Sequence, residues 1–268
     1  MEASTETFQI PLEAAEVYES KFVPALFADW APHLVDVAGV APGQAVLDVA
    51  CGTGIVARTA AERMKGRGRV VGLDLNEAML TVARRVRPGI EWRRGDVTET
   101  PFPDGSFDVV LCQMALMFFP DRGRALREMA RVAKSDGTVA LVVPASLDSQ
   151  AAYGPFVEIV ARHTGPEARS LLSTYWACGN VAELRQLIES AGLRITGIRT
   201  RLGTAKFDSA EDFVATEVKS TPLFERLGDD VYGRILSDAH EALRPFTRPG
   251  GALEIPLVGH LVSARKPS

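Results

Sequence analysis

Most of what would mark a secreted, membrane-embedded or nucleic-acid-binding protein is missing from this sequence. No stretch approaches the roughly 18 unbroken apolar residues of a membrane span. The polar start, Met1 to Gln9, has no apolar run of the kind a signal peptide needs. Cysteine is scarce: Cys51, Cys112 and Cys178 are odd in number, far apart and never in a Cys-x-x-Cys pair. That spacing gives no zinc or disulfide framework and fits a reduced, cytoplasmic compartment. His33, His163, His240 and His260 are scattered without metal-ligand spacing, so no metal is expected. A basic excess is also absent. Thirty Lys and Arg against 34 Asp and Glu leave a net charge of −4, which argues against a nucleic-acid groove. The one basic neighbourhood, Arg84, Arg85, Arg87, Arg93 and Arg94, reads as a solvated helix end complementing the helix dipole.

What is present is an ordinary globular composition, 46% hydrophobic and 24% charged over 268 residues, enough to bury a sizeable core. Leu12, Ala15, Val17 and Tyr18, then Leu26, Phe27, Trp30, Leu34 and Val37, recur at helical spacing, and Pro42-Gly43 ends that region. Strands and helices then alternate. Strands are predicted at 45–49, 69–73, 90–94, 107–112 and 138–143, with helices at 55–64, 77–86 and 124–133 between them. Asn76 is placed to cap the second of these helices. Such alternation implies βαβ crossovers and a parallel sheet. After Pro144 the pattern changes. Residues 145–180 are helical or irregular and hold Tyr153, Phe156, Tyr175 and Trp176. A helix at 183–191 closed by Gly192, a strand at 193–202, a helical stretch at 209–243 and a last strand at 253–264 follow.

The informative segment is Val46-Leu-Asp48-Val-Ala-Cys51-Gly52-Thr53-Gly54, a strand feeding a glycine turn that opens a helix. In open parallel sheets a ligand sits at the carboxyl ends of the strands. Glycines let the backbone approach it, and the helix start offers unpaired N–H groups. Gly52-Thr-Gly54-Ile-Val-Ala57 also satisfies a dinucleotide fingerprint, and Asp74 lies where either cofactor class wants a carboxylate for ribose hydroxyls. A nicotinamide oxidoreductase is therefore a competitor. Three features point elsewhere. Asp48, just before the turn, would repel a pyrophosphate and suit the ammonium of a bound amino acid. Gly95-Asp96 ends the third strand with an acceptor placed for an adenine amine. No Tyr-x-x-x-Lys pair occurs, since the residues four beyond Tyr153, Tyr175 and Tyr232 are Val157, Gly179 and Leu236.

Taken as an ordered set, Asp48 to Gly54, Gly72-Leu-Asp74, Gly95-Asp96, Pro101-Phe-Pro-Asp-Gly-Ser-Phe-Asp108, Cys112-Gln-Met-Ala-Leu-Met-Phe-Phe-Pro-Asp121 and Leu126-Arg-Glu-Met-Ala-Arg-Val132 resemble the class I S-adenosylmethionine-dependent methyltransferases. The nearest branch includes quinone C-methyltransferase-like and natural-product enzymes, and the likeness runs from about Tyr18 to Val143. Two departures stand out: Met114 and Met117 replace more polar residues, and Lys134-Ser-Asp-Gly137 replaces a Pro-Gly-Gly turn.

The resemblance implies an α/β fold, a doubly wound, mostly parallel seven-stranded Rossmann-like sheet with helical cap insertions. It implies a single domain over 1–268. Its core would be 40–144 plus strands near 193–202 and 253–264. The N-terminal helices 10–38 and the insertions 145–180 and 205–250 would serve as the substrate cap. For the cofactor, Gly52 and Gly54 would line the methionine end, with Asp48 near its ammonium and Thr53 beside its carboxylate. Asp74 would hold the ribose hydroxyls, Leu75 and Met79 would pack on the adenine, and Gly95, Asp96 and Val97 would meet its edge. Gln113 would border the sulfonium. Tyr18, Phe22, Met114, Phe118, Tyr175 and Trp176 are the expected acceptor contacts, and no residue is nominated as a catalytic base. The implied partner is a small-molecule acceptor, with no nucleic acid, no membrane span and room for a homodimer. Cys51, with nothing basic after it, reads as a packing residue. Besides the nicotinamide reading, two alternatives stay open: a cofactor-scaffolded cyclase on the same fold, and a non-catalytic binding module.

Overall fold

The computed structural model describes residues 10–219 and 227–267. In chain order the elements are α1 (Leu12–Val17), a π-helical stretch (Tyr18–Phe27), α2 (Ala31–Val37), β1 (Ala45–Val49), α3 (Ile55–Arg63), β2 (Arg69–Asp74), α4 (Glu77–Val86) and β3 (Glu91–Arg94). These are followed by β4 (Phe107–Gln113), α5 (Arg122–Val132), β5 (Ala133–Pro144), α6 (Tyr153–Thr164), α7 (Pro166–Ser173) and α8 (Val181–Ser190). The chain ends with β6 (Arg194–Phe207), α9 (Ala210–Lys219), α10 (Asp229–Leu243) and β7 (Leu253–Arg265). Seven strands form one sheet in the order β3-β2-β1-β4-β5-β7-β6.

The neighbours β3/β2, β2/β1, β1/β4 and β4/β5 pair in parallel. The last strand reverses. Asp136 N–H donates to the Lys266 carbonyl and Lys266 N–H returns to Gly137, while Thr196 meets Ser263 and Thr200 meets His260. Residue numbers rise on one strand as they fall on the other, so β7 runs antiparallel to both neighbours. The parallel neighbours are what the alternating pattern predicted, and the mostly parallel, doubly wound sheet is the one the resemblance implied. Its central strands are covered on both faces, which is why β1 reads as the nearly unbroken apolar run Val46, Leu47, Val49. Each such side chain, fully buried, contributes roughly 1.5–3 kcal/mol.

Three departures from the sequence reading have physical causes. The fifth strand, expected from Thr138, begins at Ala133. Its pairing with β4 shifts register between Phe107 and Val109, and Asp136 takes φ 59°. The bonds from Asp136 and Gly137 to Lys266 draw the expected turn into the sheet. The sixth strand extends to Phe207 rather than ending at Leu202. The residues from Tyr18, expected as ordinary helix, are wound more loosely: Ala28 N–H reaches the Val23 carbonyl at 2.8 Å, and Pro24 inside the stretch has no N–H to donate. The middle of the helical stretch expected at 209–243, residues 220–226, and the polar start lie outside the described residues.

The chain separates into two compact units. One takes the residues up to Val143, Val181–Thr200 and those from His260; the other takes Pro144–Asn180 and Arg201–Gly259. The insertions expected as a cap fall within the second unit, and the N-terminal helices fall within the first. The second unit is built round aromatic rings: Phe213 lies 4.8 Å from Phe156, 5.1 Å from Phe207 and 5.4 Å from Tyr153. Among the described residues no helix is long and apolar enough to cross a membrane.

Candidate active site

In the first unit, β1, β2 and β4 deliver Asp48, Asp74 and Gln113 to one edge of the sheet. Helix α3 begins at Gly54, which has φ +90° and no side chain to cap the helix. Asp48 does that work from the preceding strand: its Oδ2 accepts the Ala57 N–H at 2.9 Å. The helix-end partnership and the proposed ligand role thus fall on the same carboxyl. Burial raises the Asp48 pKa to about 8, with the nearby Asp74 carboxylate adding to the shift and the Ala57 N–H and Arg58 opposing it. Gly54 is required twice over. Its φ is left-handed, and a Cβ there would collide with the Trp92 ring. The same ring, with Cys51 Sγ, leaves no room for a side chain at Gly72. Cys51 is a buried free thiol, pushed well above its usual range by burial, as its packing role implies.

Asp74 bridges two loops. Its Oδ2 accepts Gly52 N–H at 2.7 Å and its Oδ1 accepts Asn76 N–H at 2.8 Å. Burial raises its pKa, against the backbone N–H groups of Asn76, Gly52 and Leu75 that favour the charge. Asn76 caps α4 as expected, accepting from Ala78 at 2.8 Å and Met79 at 3.3 Å. Leu75 is 39% exposed, an apolar surface left open beside the glycine turn, and Met79 is half-buried behind it. Gly95 N–H donates to the Asp74 carbonyl at 3.0 Å, and a Cβ on Gly95 would press on Leu73 and Pro101. Asp96 is exposed, with Oδ1 accepting the Thr98 N–H at 2.7 Å, and Val97 is buried.

At the end of β4, Gln113 Nε2 donates to the Phe27 carbonyl at 3.0 Å. Among the described residues its Oε1 is buried without a partner, as is Thr53 Oγ1. Met114 follows in the left-handed region at φ 50° and is nearly buried. Such a non-glycine residue stores roughly 1–3 kcal/mol of strain, held here by the surrounding packing. Tyr18 stacks on Phe22 at 5.8 Å and on Phe27 at 5.3 Å, and its ring lies 3.6 Å from the position of a Cβ on Gly52. Phe118 is half-buried, while Met117 belongs to the core. Tyr175 and Trp176 lie in the second unit, where Trp176 packs 4.9 Å from Tyr153. Also in that unit, Glu217 hydrogen-bonds Tyr153, and burial raises its pKa to about 7.

Several residues escaped the sequence reading. Arg131 donates to the carbonyls of Thr100 and Phe102 and to Asp104 and Glu128, while Glu128 accepts Thr100 N–H at 2.9 Å. Arg131 holds the Glu128 pKa down to about 2. Together they fix the loop after β3 that carries Asp96. Both stood inside a quoted motif, so the signal was there without its role. Arg58 and Glu19 had no signal, because they are distant in sequence and meet only in the fold, at 2.9 Å. An open cleft of about 510 Å³ lined by Asp36, Thr138, Arg194, Thr196, Ser263 and Arg265 involves none of the site residues. Arg194 opens β6 and Arg265 closes the reversed β7, so it lies at the opposite edge of the sheet.

Residues 47–141 match the methyltransferase domain family. The chain carries a class I methyltransferase domain. Around that domain, the demethylmenaquinone methyltransferase of Renibacterium salmoninarum is 43% identical over 128 residues, 47% of this chain and 51% of the relative. The nocamycin O-methyltransferase of Saccharothrix syringae is 37% identical over 162 residues, 58% of each chain. The chain therefore spans between half and three-fifths of the length of these relatives. A solved methyltransferase structure from Bacillus halodurans superposes with a TM-score of 0.62 at 25% identity, over 89% of this chain and 99% of the other. The methyltransferase domain contains the glycine turn, Asp48, Asp74, Asp96 and Gln113, so its boundaries coincide with the geometry at the strand ends.

Proposed function

We propose that this protein transfers a methyl group from S-adenosylmethionine to a small-molecule acceptor. The observation that carries the reading is the buried Asp48 carboxyl at the start of α3, holding the Ala57 N–H that a dinucleotide's pyrophosphate would otherwise use. A cation beside this carboxyl offsets its desolvation, and an anion adds to it. The surroundings fit the cofactor. Thr53 Oγ1 and Gln113 Oε1 are buried polar atoms lacking partners among the described residues, and Leu75 offers an exposed apolar face. In this reading Asp48 and Thr53 meet the amino-acid end and Gly52 and Gly54 let it approach. Asp74 takes the ribose hydroxyls on its remaining lone pairs. Leu75, Met79, Gly95, Asp96 and Val97 surround the base, and Gln113 faces the sulfur.

When bound, S-adenosylmethionine supplies a methyl group on a sulfonium, already activated for in-line displacement. The chain's task is then alignment and exclusion of water, which can supply roughly 7–11 kcal/mol of the barrier. Tyr18, Phe22, Met114 and Phe118 provide apolar surface for the acceptor within the first unit. The names of the relatives suggest its class: a quinone-like compound or a natural product. The three buried free cysteines support a cytoplasmic location. The same reading foresees no nucleic-acid partner and accommodates a homodimer.

Isothermal titration with S-adenosylmethionine and, separately, with NADH tests the class. S-adenosylmethionine is expected to bind and NADH to give no heat beyond dilution. Methyl-labelled cofactor should then label a quinone or phenol in an acceptor screen. NADH binding without S-adenosylmethionine binding would remove the proposal.

A further inference from the structure

The N-terminal stretch precedes the matched domain, yet it is clasped onto the glycine turn. Arg58, on α3, spans the junction. Its Nη1 donates to the Thr53 carbonyl at 3.0 Å and its Nη2 to Glu19 Oε1 at 2.9 Å. The Glu19 carboxylate therefore stands within one guanidinium's width of the turn. The ion pair is well shielded, with the Arg58 side chain 12% exposed and that of Glu19 21% exposed. Glu19 Oε2 is nevertheless buried with no hydrogen-bond partner among the described residues, and so is Thr53 Oγ1. A buried carboxyl oxygen in that condition is unfavourable unless a donor reaches it. Tyr18, next in the chain, places its ring over Gly52, and Phe27 at the far end is tied to Gln113. The turn is thus approached by Asp48 from β1 and by Glu19 from the N-terminal stretch, with the Arg58 guanidinium joining Glu19 to the Thr53 carbonyl and the Thr53 hydroxyl buried in the turn itself. Two acids, one guanidinium and one hydroxyl complement the two opposite charges of an α-amino acid.

Resting on the methyltransferase reading above, we propose that Glu19 is a cofactor-binding residue: its Oε2 receives the ammonium of the methionine end, and Arg58 positions it on the turn. The residue comes from outside the segment that carries the family likeness.

Titration of the full chain with S-adenosylhomocysteine and with 5′-methylthioadenosine, the same nucleoside thioether without the amino-acid end, separates the outcomes. E19Q keeps an acceptor for Arg58 and removes the charge. It should weaken S-adenosylhomocysteine binding about 10- to 100-fold and leave methylthioadenosine within about twofold. R58A should follow the same pattern. Retained S-adenosylhomocysteine affinity in E19Q, or an equal loss of both ligands, would overturn the role of Glu19 and leave the class reading intact. A wild-type protein that binds neither ligand would overturn both.

Discussion

The two units solve different problems with different residues. The first puts glycines, acids and unsatisfied polar atoms at the ends of buried strands, and nearly all of its candidate ligands lie within residues 47–141. The second, built from Pro144–Asn180 and Arg201–Gly259, centres on an aromatic cluster in which the Glu217 carboxyl is held against Tyr153. One is polar chemistry fixed by backbone geometry; the other is shape and hydrophobic contact. In the proposed reading the first arrangement meets the cofactor, and nothing in a cofactor site specifies an acceptor. Fold alone therefore says little about the acceptor.

The sharpest way to break this contrast is Asp74→Ala. It removes the proposed ribose contacts and frees the N–H groups of Gly52 and Asn76. S-adenosylmethionine affinity should fall at least about 100-fold, roughly 3 kcal/mol, as read by titration. A loss under tenfold would deny Asp74 its place. Next in size is a pH effect in the second unit. The Glu217 pKa stands at about 7 against an ordinary 4.5, so the fold favours its protonated form. Its contribution is complete below about pH 4.5 and disappears as pH rises through 7, with an upper bound of about 3 kcal/mol. Urea denaturation at pH 5 and pH 8 should show this loss in the wild type and a clearly smaller one in Glu217→Gln. Equal losses would mean that Glu217 is not desolvated.

Asp48 sharpens the comparison on the other side. Its pKa of about 8 means that an ammonium ligand must draw off a proton as it binds. Titrations near pH 7 in two buffers of different ionisation enthalpy should report release of up to one proton, with affinity tightening from pH 6 to 8. No release would remove Asp48 from the ammonium's surroundings. A smaller effect is expected at Phe118 in the first unit, where Phe118→Ala should raise the acceptor KM about tenfold, close to 1.4 kcal/mol, without altering cofactor Kd. Smallest of all is Arg85→Ala. Its pair with Glu16 is exposed on both sides, so the melting temperature should stay within about a degree or two.

Much of this was legible beforehand. The ranges of β1, β2 and β4, the glycine turn and the Asn76 cap all follow from local rules: apolar runs, turn residues and a polar side chain one residue before a helix. Where the reading fell short, the missing cause was always distant in sequence. The early start of β5 depends on Lys266, the loose winding after Tyr18 lies in a stretch tied to Gln113, and the loop bearing Asp96 depends on Arg131. The sequence by itself determined the strand-turn-helix unit and its carboxylates, because each is set by neighbours within a few residues. Only the tertiary structure decided that Asp48 caps α3, that Glu19 meets Arg58 across the glycine turn, and that Glu217 sits among aromatic rings. Burial and ion pairing are properties of groups brought together by the whole chain, and no local spacing encodes them.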